Sequence, residues 1–229
     1  MAVRVFASGQ SNSIGWGASG PSFAKVSSSV RVWNNANPLG GNGSAFVTAA
    51  TAQTGGTFQY TDRNNAFVWF CDKLARTQHE AVDLTFVGRG NSPIELWDAD
   101  ESVSPMLAEC IGVWTATGQP PADIFLWHQG ENNAGWERTP YEARFDTLLD
   151  DLTRGGVIDG NTIVIVGGLA EENNQRVTFN HRVLARLRRA TFATSYGLKT
   201  SDGTHFDAAS LTRLARRYFS AYQFARLRQ

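Results

Sequence analysis

The order of its apolar runs constrains this chain more than any other feature. Four short runs, Val3–Ser8, Leu84–Gly88, Ile124–His128 and Thr162–Gly167, are rich in β-branched or apolar residues and give way to glycine-rich or polar ones. Such runs read as strands buried on both faces. Segments with apolar residues at helical spacing run between and after them: Ala66–Thr77, Val103–Thr117, Pro140–Arg154, Gln175–Thr191 and Ala208–Leu227. Strands alternating with helices pair in parallel, because each crossover needs a helix-sized connection. The expected fold is α/β: a three-layer α/β/α sandwich around a mostly parallel, flavodoxin-like five-stranded sheet, the fifth strand lying near Val30–Trp33. Ligands bind such sheets at the carboxyl ends of the strands.

A length of 229 residues suits one sizeable core, so a single domain over 1–229 is expected. Lys+Arg and Asp+Glu number 21 each, and the basic cluster Arg182, Arg186, Arg188 and Arg189 reads as a solvated helix face. Nothing in that balance displaces phosphate counterions, so no nucleic-acid partner is expected. No run approaches a membrane span, and the opening Val-Arg-Val-Phe-Ala-Ser turns polar too soon for a secretion signal. The expectation is a chain with no membrane partner, cytoplasmic or exported by another route. Cys71 and Cys110 sit in apolar runs and imply no disulfide framework. Gly15 to Tyr60 is rich in Gly, Ser, Asn and Thr, and reads as an extended excursion with at most one strand. Asn42-Gly43-Ser44 within it fits a glycosylation acceptor but reads as a loop turn.

Four polar segments follow or flank these elements. Gly9-Gln10-Ser11-Asn12 comes directly after the first strand and puts Ser11 on a turn at the sheet edge. A serine hydroxyl is a weak nucleophile until a base takes its proton. Ser201-Asp202-Gly203-Thr204-His205 precedes the last helix, and its spacing lets the Asp202 carboxylate reach His205 Nδ1 and leave Nε2 facing a serine elsewhere. Taken alone, the first is an ordinary Gly-x-Ser turn and the second a capped turn beside a partly exposed histidine. Val87 to Trp97 and Trp127 to Asn133 follow the next two strands. The Ser11 and Gly90 main-chain N–H groups and the Gln129 amide would make an oxyanion hole, with Asn132 as the alternative to Gln129. Gln10, Asn91, Trp97 and Glu131, in the same segments, are the candidate substrate-binding residues. Trp16, Trp97 and Trp136 could each stack on a sugar ring, and Glu131 also reads as an anchor for its own loop.

Together and in this order, the four segments resemble the SGNH hydrolases. The similarity is to the branch containing sialate O-acetylesterases and the acetylxylan esterases of carbohydrate esterase family six. The matching residues are Gly-Gln-Ser-Asn at Gly9–Asn12, Gly90–Trp97, Trp-x-Gln-Gly-Glu at Trp127–Glu131 and Asp-Gly-x-His at Asp202–His205, with Asn91 standing where the branch has a second glycine. The resemblance implies a serine esterase that removes O-acetyl groups from carbohydrate through an acyl-enzyme. Ser11 would be nucleophile, His205 base and Asp202 its orienter; Ser11, Gly90 and Gln129 would be the oxyanion donors. It implies no cofactor and no metal, and the partner is an O-acetylated carbohydrate or other small ester. The rival from another class is a non-catalytic carbohydrate-binding or structural module of a virion or surface assembly that keeps the fold. Gly15-x-Gly17-x-x-Gly20 mimics a dinucleotide fingerprint, but no helix opens there and no acidic residue follows at ribose distance. His79, His128, His181 and His205 lack metal-ligand spacing.

Overall fold

A computed structural model describes residues 2–16, 18, 23–33, 45–49, 64–98 and 105–228. The Asn42–Ser44 acceptor pattern, much of the excursion and the start of the second expected helix lie outside the described residues. The strands are β1 (Val3–Gly9), β2 (Val30–Trp33), β3 (Phe46–Thr48), β4 (Val82–Gly88), β5 (Ile124–His128), β6 (Ile163–Gly167) and β7 (Thr191–Ala193). The helices are α1 (Ala66–Gln78), α2 (Pro105–Thr117), α3 (Arg138–Arg154), α4 (Asn174–Arg182) and α5 (Ala208–Arg226).

The strands form one sheet in the order β3-β2-β4-β1-β5-β6-β7, parallel except for the edge pair β2 and β3. Seven strands therefore replace the expected five. One extra strand, β3, lies inside the excursion, which was expected to hold at most one. The other, β7, takes the end of the expected Gln175–Thr191 helix. That segment leaves the helix at Arg182 because Val183, Leu184 and Leu187 turn into the core through a 3₁₀ turn at Leu184–Arg186, and the chain then pairs with β6. The arginine cluster is thus split between a helix end and a loop. Arg188 reaches Glu142, and Arg189 reaches Asp150 at 2.6 Å.

Alternation along β1 shows how the sheet is buried twice. Val5 and Ala7 face a core shared with α1 and α5, whereas Phe6 faces one shared with α2 and α3. Phe6 stacks on Phe125 and meets Trp114 edge-on, all three fully or almost fully buried. Each such side chain contributes ~1.5–3 kcal/mol through burial. Among the described residues no helix is long and apolar enough to cross a membrane.

Asn65 caps α1, accepting from the N–H groups of Phe67 and Val68, and its own amide donates to the Ser13 carbonyl. The cap therefore ties α1 to the turn after β1. Asn65→Ala is expected to cost about 1–2 kcal/mol and lower the thermal midpoint by about 3–6 °C, measured by circular dichroism melting.

Candidate active site

The sheet order reverses around β1, which lies between β4 and β5, so the segments leaving these three strands meet at one edge. Gly9 makes the meeting possible. Its φ is +143°, and a Cβ there would lie 2.0 Å from the His128 carbonyl oxygen. The chain passes close enough for Gln10 N–H to donate to His128 O at 3.0 Å and Arg89 N–H to donate to Gly9 O at 3.0 Å. It then turns tightly: Ser13 N–H donates to Gln10 O, and Trp16 N–H to Ser11 O. Ser11 stands at the head of this turn.

The 202–205 loop arrives from the far end of the chain. His205 Nε2 lies 3.0 Å from Ser11 Oγ, and His205 Nδ1 lies 2.6 Å from Asp202 Oδ2. The other carboxylate oxygen accepts from the N–H groups of Thr204 and His205. The hydrogen bond from His205 lowers the Asp202 pKa most; partial burial works against it, the two N–H donors assist, and the value falls to about 2. An ionised carboxylate can only accept, so Nδ1 carries the proton. In the neutral imidazole Nε2 is then the acceptor, and the Ser11 hydroxyl donates to it.

Beneath this trio lies a buried polar layer. Asn12 donates to Glu131 Oε1 at 2.6 Å and to Thr204 O at 3.0 Å, while its oxygen accepts from Phe206 N–H at 3.0 Å. Burial opposes ionisation of Glu131, but His128, 3.6 Å away, and the Asn12 amide outweigh it and hold the carboxyl below its usual range. His128 Nδ1 in turn meets the Tyr218 hydroxyl, which donates to Trp127 O.

A cavity of about 620 Å³ opens above Ser11, lined by Gln10, Trp16, Gly90, Asn91, Asn132 and His205 among others. The backbone N–H groups of Ser11 and Gly90 have no hydrogen-bond partner among the described residues. Gln10 and Asn91 line the space as expected, but their side chains are engaged: Gln10 Nε2 donates to Asn132 Oδ1, and Asn132 Nδ2 to Asn91 Oδ1. Glu131 also lines the cavity, but its side chain is buried and its carboxylate is engaged with Asn12.

Two expectations fail. Gln129 is fully buried away from the cavity, its amide nitrogen directed at Gln10, Ser92 and Asn133 and its oxygen accepting from Tyr141. With its donors taken up in holding three loops together, it has no N–H for an oxyanion. Trp97 is also fully buried, edge-on to Trp127 and donating to Ser92 Oγ, so it offers no face to a sugar. Trp136 packs against the core, whereas Trp16 is 37% exposed beside the His205 ring. Arg89 and Arg176 also line the cavity and were not singled out from the sequence. Arg176 sits on α4 and holds Gly203 O and Thr204 Oγ1; no local motif marks it.

This geometry is matched by similarity across the chain. Residues 3–224 match the family described as carbohydrate esterase, sialic acid-specific acetylesterase. The chain belongs to that family. Its members are carbohydrate esterases, hydrolases acting on ester bonds, within the SGNH hydrolases. Solved structures share the fold. A protein of Arabidopsis thaliana superposes with a TM-score of 0.74 at 15% identity, covering 98% of this chain and 99% of that one. A carbohydrate acetylesterase from Xanthomonas citri gives 0.67 at 17%, covering 99% of this chain and 57% of that one. NanS gives 0.65 at 13%, covering 98% of each. No curated protein matches the chain.

Proposed function

We propose that the protein is a serine esterase that removes acetyl groups from carbohydrate hydroxyls through an acyl-enzyme. The observation that carries this reading is the continuous path from Asp202 through His205 to Ser11, at 2.6 and 3.0 Å, opening on a cavity beside two backbone N–H groups that have no partner among the described residues. In the first step His205 Nε2 takes the Ser11 proton as Oγ bonds to the acetyl carbon. The carbonyl oxygen gains the electron pair and is received by the N–H groups of Ser11 and Gly90, with the Asn132 amide as third donor in place of Gln129. Asn132 can turn to this task by releasing Asn91, an exposed partner. The imidazolium then protonates the departing sugar oxygen, leaving acetyl on Ser11. Water, deprotonated by the same nitrogen, releases acetate and restores the hydroxyl. Trp16, exposed at the rim, supplies a face for the sugar ring.

The test is acetate release from 4-nitrophenyl acetate and from an O-acetylated polysaccharide. Release from both supports the reading, and release from neither would favour a non-catalytic module. The pH profile checks the assignment of the base. Asp202, lowered to about 2, stays ionised throughout pH 4–8 and gains a proton only as pH falls through that value. Any acid limb of kcat/KM within the window is therefore expected to involve one proton, with a slope of one in the logarithmic plot. A slope of two would mean that Asp202 also takes up a proton within the window, against its lowered pKa.

A further inference from the structure

We propose that Asn12 is the positioning residue for His205 and that Glu131 fixes the direction of its amide. The inference rests on the esterase reading and goes beyond it, because Asn12 touches neither the serine hydroxyl nor the imidazole.

A primary amide has one acceptor oxygen and two N–H donors, and Asn12 commits all three. Its oxygen takes the N–H of Phe206 and its nitrogen gives to the carbonyl of Thr204, so the side chain grips the backbone on both sides of His205 as a neighbouring strand would. The loop's other ties are of a different kind. The bonds from the Thr204 and His205 N–H groups to Asp202 and from Ser201 N–H to His205 O are internal to it. Arg176 holds only its outer side. Beside the His205–Ser11 hydrogen bond and the Trp16 ring, Asn12 ties the loop's backbone to the turn that carries Ser11, and it is the next residue along the chain. The distance between Oγ and Nε2 is thus set through a single peptide unit and one amide.

Glu131 adds to the bias that Thr204 O and Phe206 N–H already give that amide. Rotating the Asn12 side chain by half a turn would bring its oxygen against the Glu131 carboxylate, in a layer where little solvent can screen the repulsion. The carboxylate therefore favours the orientation in which nitrogen faces Thr204 O and oxygen faces Phe206 N–H.

The experiment compares 4-nitrophenyl acetate hydrolysis by the native protein, Ser11→Ala, Asn12→Asp, Glu131→Gln and the Asn12→Asp/Glu131→Gln double variant, with melting curves for each. Asn12→Asp keeps the shape but replaces both N–H donors by an oxygen. It is expected to lower kcat by about 100-fold with KM nearly unchanged, because the base is displaced while the cavity stays intact. In the double variant the glutamine can donate to the new carboxylate, and kcat is expected to recover by about tenfold over Asn12→Asp. A purely structural role would lower the melting midpoint without this split between kcat and KM or this rescue. Should Asn12→Asp not fold, Glu131→Gln alone decides: kcat falls by about tenfold if the carboxylate orients the amide. Native kcat in the folded variants, with Ser11→Ala inactive, would overturn the positioning role and leave the esterase reading standing. A native protein without Ser11-dependent hydrolysis would overturn both.

Discussion

Ser11→Ala is expected to lower kcat for 4-nitrophenyl acetate by about 10⁴- to 10⁶-fold while leaving the melting curve unchanged. In the proposed mechanism the hydroxyl supplies the atom that bonds to the acetyl carbon, and the next hydroxyl along the turn, that of Ser13, is buried and donates to Gln10 O. What remains should be the contribution of the oxyanion donors to direct attack by water. Steady-state kinetics, together with release of 4-nitrophenol in the first turnover, read both the loss and the acyl-enzyme. A variant retaining about a tenth of native kcat would remove Ser11 from the chemistry.

Gly9→Ala should have the largest effect on stability. The substitution forces an L side chain into φ +143° and sets its Cβ 2.0 Å from the His128 carbonyl, a backbone atom that cannot swing aside. Strain and overpacking together should cost about 3–5 kcal/mol, lowering the thermal midpoint by roughly 10 °C or more. The damage falls on the junction of β1, β4 and β5, so whatever folds should also lose esterase activity, through displacement of Ser11. A midpoint within a few degrees of the native value, measured calorimetrically, would show that the junction has slack the close approach does not suggest.

Much of the fold could be read from the sequence because its signals are local. Ile124–His128 is apolar throughout and forms β5 with those bounds, and Ala208–Leu227 shows a helical stripe that becomes α5. The expected Gln175–Thr191 helix fails for the opposite reason. Leu184 and Leu187 recur at helical spacing, but the core takes them up in a tighter turn, and Thr191–Ala193 pairs with an edge that is visible only once β6 is in place. At the site, Ser11, Asp202 and His205 could be named because each lies in a short polar segment against a strand or helix end. Gln129 misled because a polar residue at a strand end looks the same in sequence whether it faces a cleft or ties loops together beneath it. Trp97 misled likewise, since a tryptophan beside a polar loop carries no sign of which way its ring packs. The part played by Asn12 was illegible: its partners are 119 and 192 or more residues away, and no local pattern encodes them.

The placement of Ser11 and His205, 194 residues apart along the chain, has a consequence for when chemistry can begin. A polypeptide still leaving the ribosome can present the proposed nucleophile early, before its proposed base has been made. Hydrolysis must wait until the 202–205 loop has docked beside β1. Turnover thus reports the docking of two segments far apart in sequence, and the return of esterase rate during refolding would time the meeting of β1 with the 202–205 loop without any attached probe.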